Sequence, residues 1–181
     1  MTSYDWGRPG ATALILPFPA AESLIGRYRR ADTPSGRAGM VAHATLLAPF
    51  IHGSALSEQD LERLRTVLSR FRPFPVELRS FARFDAIGVL YLEPDPPEPM
   101  VAMSEALLDV FPQVEYPPAG ANEIVPHVTV ASRLAPSELD RIEAELTPRL
   151  PVPELVDRAL LMERPADGDW ATRAEYLLVT S

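Results

Sequence analysis

Two of the three histidines of this 181-residue chain stand in the same local pattern, His43-Ala44-Thr45-Leu46 and His127-Val128-Thr129-Val130. A threonine two places after any one histidine has a chance of about one in twenty at this composition, and two such cases among three fall under about one in a hundred. Chance is therefore a poor account of the pattern. On a strand, residues i and i+2 share a face. Each motif then sends an imidazole and a hydroxyl to one side, and its apolar pair, Ala44 with Leu46 or Val128 with Val130, to the other.

If the two strands line one cleft, the imidazoles can address a reacting group from opposite sides. One takes a proton from the attacking nucleophile and the other protonates the leaving oxygen. Histidine suits both roles because its unperturbed pKa, about 6.5, moves to either side of neutrality with small environmental changes. The hydroxyls of Thr45 and Thr129 can hydrogen-bond non-bridging oxygens whose charge grows in the transition state. A phosphodiester fits all four groups. No further ligand set stands beside these positions, so neither a metal nor a cofactor is expected. A metal-dependent hydrolase drawing on Asp85 or Glu123 is the competing reading.

The elements that must position these groups follow from the hydrophobic pattern. Thr12 to Phe18 reads as a strand, Ala20 to Arg30 as a helix, Asp32 to Gly39 as a loop and Val41 to Ala48 as the first histidine strand. Ser57 with Asp60 resembles a capping box, and Leu61, Leu64, Leu68 and Phe71 continue at helical spacing. Strands follow at 74–85 and 87–93. The order then recurs, with a helix from Glu98 to Phe111, a Pro/Gly-rich loop at Tyr116 to Ala121 and the second histidine strand. A helix with Leu139, Ile142 and Leu146 on one face comes next, then strands near 152–163 and 172–180. Strand, helix, histidine strand, helix, strand thus occurs twice. An α+β fold is expected, with two pseudo-symmetric lobes, each an antiparallel sheet with helices packed outside, and the active-site cleft between them, all in one domain spanning 1–181.

Composition bounds the partners. The net charge is −8, which argues against wrapping a long duplex. The distribution is uneven: residues 1–84 carry 11 Arg against 7 acids, residues 85–181 carry 6 Arg against 18. All basic residues are Arg, whose planar fork suits phosphate, although a compositional bias of the source genome explains the same fact. There is no cysteine, hence no disulfide and no thiolate chemistry. No stretch approaches a membrane span, and the opening residues lack a leader pattern. A cytoplasmic monomer acting on a small nucleotide or short RNA is expected.

The two motifs, in the settings Ala-His-Ala-Thr-Leu-Leu-Ala-Pro-Phe and Ile-Val-Pro-His-Val-Thr-Val-Ala and 84 residues apart, resemble those of the 2H phosphoesterase superfamily, which includes the 2′-5′ RNA ligase-like proteins and cyclic phosphodiesterases. The resemblance extends over nearly the whole chain, and Ala42 departs from the proline found in many relatives. It implies hydrolysis of a 2′,3′-cyclic phosphate, of ADP-ribose 1″,2″-cyclic phosphate or of a 2′-5′ linkage, or else the joining of RNA ends, with His43 and His127 catalytic. A non-catalytic nucleotide or RNA-end binder is a further reading.

Other candidates carry ordinary readings beside the functional one. Arg133, Phe50 and Tyr91 are taken as substrate contacts, with Phe84 as another ring able to stack on a base; core packing competes for all the aromatics. Arg27, Arg29, Arg30 and Arg37 precede the first motif and read as a solvated basic face that could attract phosphate. His52 lacks the threonine partner and reads as a loop residue.

Overall fold

The structure is a computed structural model and describes residues 8–117 and 123–179. Its elements, in chain order, are β1 (Thr12–Pro17), α1 (Pro19–Asp32), a one-turn α2 (Pro34–Arg37), β2 (His43–Leu47), α3 (Glu58–Leu68), β3 (Phe74–Phe84), β4 (Val89–Asp95), α4 (Glu98–Val110), β5 (Val128–Ala131), α5 (Pro136–Leu146), β6 (Val152–Val156), β7 (Arg158–Glu163) and β8 (Ala171–Leu177). The loop expected at Tyr116 to Ala121 lies, beyond Pro117, outside the described residues.

Local chemistry accounts for the boundaries. The capping box is present: Ser57 Oγ accepts from the Asp60 amide at 3.1 Å, and Asp60 Oδ2 accepts from the Ser57 amide at 3.0 Å. Helices α1, α4 and α5 carry proline in the first turn, where its missing N–H costs nothing. The start of α1 is capped from a distance, because Glu154 of β6 accepts the Ala20 amide at 2.8 Å. Within the loop expected at 32–39, Thr33 Oγ1 accepts the Gly36 amide at 2.9 Å and winds the single turn of α2.

All eight strands join one antiparallel sheet, ordered β6-β3-β4-β5-β2-β1-β7-β8. The two expected lobes are its halves. Outward from the centre one half runs β2, β1, β7, β8 and the other β5, β4, β3, β6, and they meet at the rung Ala44↔Val128. The single strand expected near 152–163 is two: the ladder is interrupted at Asp157, with β6 on the edge of one half and β7 inside the other. The charged pair Asp157-Arg158 marks this crossing.

The helices cover one face of the sheet. Ala21, Leu24 and Ile25 of α1, Leu64 and Leu68 of α3, Met103 and Leu107 of α4, and Leu139 and Ile142 of α5 share a core with Leu14, Leu16, Ala44, Leu46, Val128 and Val130. The sheet curls, leaving the other face concave. There a smaller cluster of Ala13, Ile15, Met40, Met162 and Trp170 covers part of the β1 half, held where the Trp170 amide donates to the Ala38 carbonyl at 2.8 Å. Among the described residues no helix is long and apolar enough to cross a membrane.

Candidate active site

The central rung determines the site. With Ala44 opposite Val128, antiparallel alternation sets His43 across from Thr129 and Thr45 across from His127. All four side chains take the face opposite to Ala44 and Val128, which are buried beneath the helices. The two imidazoles thus stand on a diagonal of a four-residue polar square, a relationship that places residues about 7–8 Å apart in such sheets, and their Cβ atoms somewhat closer.

Both rings are held the same way. His43 Nδ1 lies 2.7 Å from the Val41 carbonyl and His127 Nδ1 lies 2.7 Å from the Val125 carbonyl, each two residues upstream. A carbonyl can only accept, so each Nδ1 carries the proton and each Nε2 presents its lone pair. Neither Nε2 has a hydrogen-bond partner among the described residues, and the half-buried hydroxyls of Thr45 and Thr129 have none either.

The surroundings of the two rings differ. His43 is 7% exposed, and burial together with the adjacent Arg29 charge pushes its pKa down to about 3, with His127 adding a smaller push in the same direction. His127 is also lowered, by burial. Its ring is wedged between aromatics: Phe84 meets it edge-on at 5.2 Å between centroids and Tyr91 at 5.3 Å, and the two aromatics lie 4.5 Å from each other. Tyr91 is brought to the site by pairing with Thr129, but it is buried, and its ring is committed to His127 and Phe84.

Arg29, which the sequence groups with a solvated face, is instead 1% exposed. It inserts from α1 between the two histidine strands, donating from Nη1 to the Thr129 carbonyl at 2.6 Å and from Nη2 to the Val41 and Met40 carbonyls at 3.1 and 3.3 Å. Its Nη2 also lies 3.4 Å from His43 Nδ1. Burial lowers its pKa to about 10, so the guanidinium is charged at neutral pH. The signal was in the helical spacing: Ala21, Leu24, Ile25 and Tyr28 are the buried side chains of the apolar stripe of α1, and residue 29 falls on the same stripe. The other arginines of the group behave as surface residues. Arg27 pairs with Glu145, Arg30 with Glu22 at 2.7 Å, and Arg37 donates to the Ala31 carbonyl.

Two expected substrate contacts are not brought to the square. Phe50 is buried in the helix-covered core, edge-on to Phe111 at 5.1 Å, because the chain turns under the helices once β2 ends. Arg133 is exposed in a left-handed turn (φ 62°) beyond the far end of β5 from His127. His52 caps a short turn, with Nδ1 2.9 Å from Ser54 Oγ. Among the described residues no group of three or more His, Asp or Glu side chains is gathered to hold a metal, and Asp85 and Glu123 are both exposed.

The fold is that of solved phosphoesterase structures. The chain is similar to LigT of E. coli complexed with 3′-AMP (TM-score 0.60, 16% identity, covering 96% of this chain and 100% of that one). It is similar also to a protein described as a phosphoesterase (TM-score 0.58, 17% identity, 96% and 100% covered) and to TT0787 of Thermus thermophilus (0.59, 18%, 93% and 97%). At these identities the likeness concerns the fold. No curated protein matches the sequence. The profile of the 2′-5′ RNA ligase superfamily matches residues 16–168, and the chain belongs to that superfamily.

Proposed function

We propose that this protein hydrolyses a small phosphodiester by two-histidine acid/base catalysis. The substrate class is a 2′,3′-cyclic nucleotide or RNA end, an ADP-ribose 1″,2″-cyclic phosphate, or a 2′-5′ linkage. The observation that carries the reading is the polar square, in which each imidazole has its Nδ1 proton tied to a carbonyl and its Nε2 free beside a threonine hydroxyl.

With a cyclic phosphate, water adds to phosphorus while one Nε2 takes its proton. The bond from phosphorus to one ring oxygen breaks, and the other histidine, protonated at Nε2, delivers its proton to that oxygen. The product is a phosphomonoester with a free hydroxyl, and the two histidines have exchanged protonation states. Thr45 and Thr129 donate to the non-bridging oxygens as charge gathers there. The net charge of −8 fits a small or single-stranded substrate better than a long duplex. No metal enters the scheme.

The test is a panel of 2′,3′-cyclic nucleotides, ADP-ribose 1″,2″-cyclic phosphate and 2′-5′ dinucleotides, assayed with and without chelator. Chelator-resistant turnover of one class supports the reading. Saturable binding without turnover points to a binding module, ligated product from cleaved RNA halves to an end-joining enzyme, and chelator-sensitive turnover to a metal-dependent hydrolase.

A further inference from the structure

The backbone and hydroxyl groups of the site are nearly two-fold symmetric, and a charge distinguishes its two ends. The carbonyls of Thr45 and Thr129, paired by the pseudo-symmetry, are each held by a side chain from the segment before a histidine strand. Thr129 O accepts from the Arg29 guanidinium at 2.6 Å, whereas Thr45 O accepts from the Tyr116 hydroxyl at 3.3 Å. A cation therefore sits at the His43–Thr129 end of the square and a neutral phenol serves the Thr45–His127 end. Arg29 shares the Val41 carbonyl with His43, the group that fixes the His43 ring, and its Nη2 lies 3.4 Å from that ring's Nδ1.

Resting on the hydrolytic reading above, we propose that Arg29 is a positioning residue that keeps His43 unprotonated, making His43 the proton acceptor of the pair and leaving His127 to be the proton donor. A second positive charge on His43 would stand against the buried guanidinium, with little water to screen it. The groups facing His43 do not offset this. From α1 they are Arg29 and Glu22, and the Glu22 carboxylate is engaged by the Ala42 amide at 2.7 Å and by Arg30. From β1 the neighbour is the uncharged Pro17, and from the head of β5 it is His127 itself. Around His127 stand Phe84 and the neutral phenol of Tyr91, so an anionic phosphate in the groove draws its proton to that ring. The Nε of Arg29 is buried with no partner among the described residues, which is a poor arrangement for stability alone.

The experiment is an NMR titration of the histidine Cε1–H signals, in the wild type, Arg29→Gln and Arg29→Lys, alongside the pH dependence of kcat/KM. In the wild type His43 is expected to stay neutral to lower pH than His127. Arg29→Gln is expected to raise the His43 midpoint, and the acid limb of kcat/KM with it, by about one pH unit or more. Arg29→Lys keeps the charge but satisfies the carbonyls less well, so kcat falls while the His43 midpoint stays low. A wild-type His43 midpoint at or above that of His127 would overturn the proposal, and so would an unmoved midpoint in folded Arg29→Gln. Should Arg29→Gln fail to fold, the wild-type order and the Arg29→Lys titration still decide. Absence of turnover on every substrate with the expected titrations would sink the hydrolytic reading and leave the Arg29 effect on His43 standing.

Discussion

Ala44 and Val128 face each other across the rung that joins the two halves of the sheet, and both are buried under the helices. Their small and branched side chains let α1 and α4 close over the rung, while the neighbours on the opposite face form the polar square. The spacing between the histidines is thus a property of the core.

That relationship is testable from the buried side. Ala44→Leu adds volume to a packed core, which costs about 1–3 kcal/mol, and it should also displace β2 from β5. Urea unfolding is expected to show the loss, and kcat on the best cyclic phosphate should fall even at temperatures where the variant is fully folded. Unchanged kcat in the folded variant would separate the core from the site.

On the proposed reading, removal of either imidazole takes away one proton transfer. His43→Ala or His127→Ala is expected to lower kcat by about 10²–10⁴-fold, a loss measured at a temperature where each variant is fully folded.

In the proposed scheme the threonine hydroxyls act as charge gathers in the transition state. Thr45→Val or Thr129→Val removes a hydrogen bond to a charged oxygen and should cost about 10–10²-fold, seen mainly in kcat because the charge develops in the transition state. A loss confined to KM would assign them to ground-state binding.

His43 also links stability to pH. Its pKa is about 3 in the folded protein against about 6.5 when unfolded, so between these values the unfolded chain holds the extra proton. Stability from this group is present above about pH 6.5 and is lost as pH falls toward 3. In urea titrations across that window, His43→Gln should show a slope shallower than wild type by up to about 1.4 kcal/mol per pH unit. Parallel slopes would mean that His43 titrates normally in the fold.

Phe50 supplies a contrast. Phe50→Ala empties the space against Phe111 and should cost about 3–5 kcal/mol, with kcat retained by whatever fraction remains folded. A selective loss of substrate affinity would return Phe50 to the groove.

The legible parts of this chain were those written in local periodicity. The His-x-Thr pairs, the Ser57 cap and the recurring element order depend on residues a few places apart, and alternation alone predicted that Ala44 and Val128 face away from the histidines. Helical spacing put Arg29 on the buried stripe of α1, but its role was not legible because its partners, the carbonyls of Thr129 and Val41, are backbone groups brought to it by tertiary structure. An arginine among Arg27, Arg30 and Arg37 looks like surface until those partners are in place. Phe50 misled because a ring three residues after a histidine strand is equally near the groove and the core in sequence, and only the turn after β2 decides. The division of 152–163 into β6 and β7 was hidden because no Gly or Pro punctuates Asp157-Arg158, where the chain passes from the edge of one half of the sheet to the inside of the other.

The central claim is that His43 and His127 work as one acid/base pair, and comparison of the two single alanine variants with the double variant on one cyclic phosphate, in chelator, tests it most directly. Groups acting as a unit lose function together. The account predicts that each single variant falls by about 10²–10⁴-fold and that the double variant falls little further. Full activity in either single variant, or losses that simply multiply in the double, would contradict it.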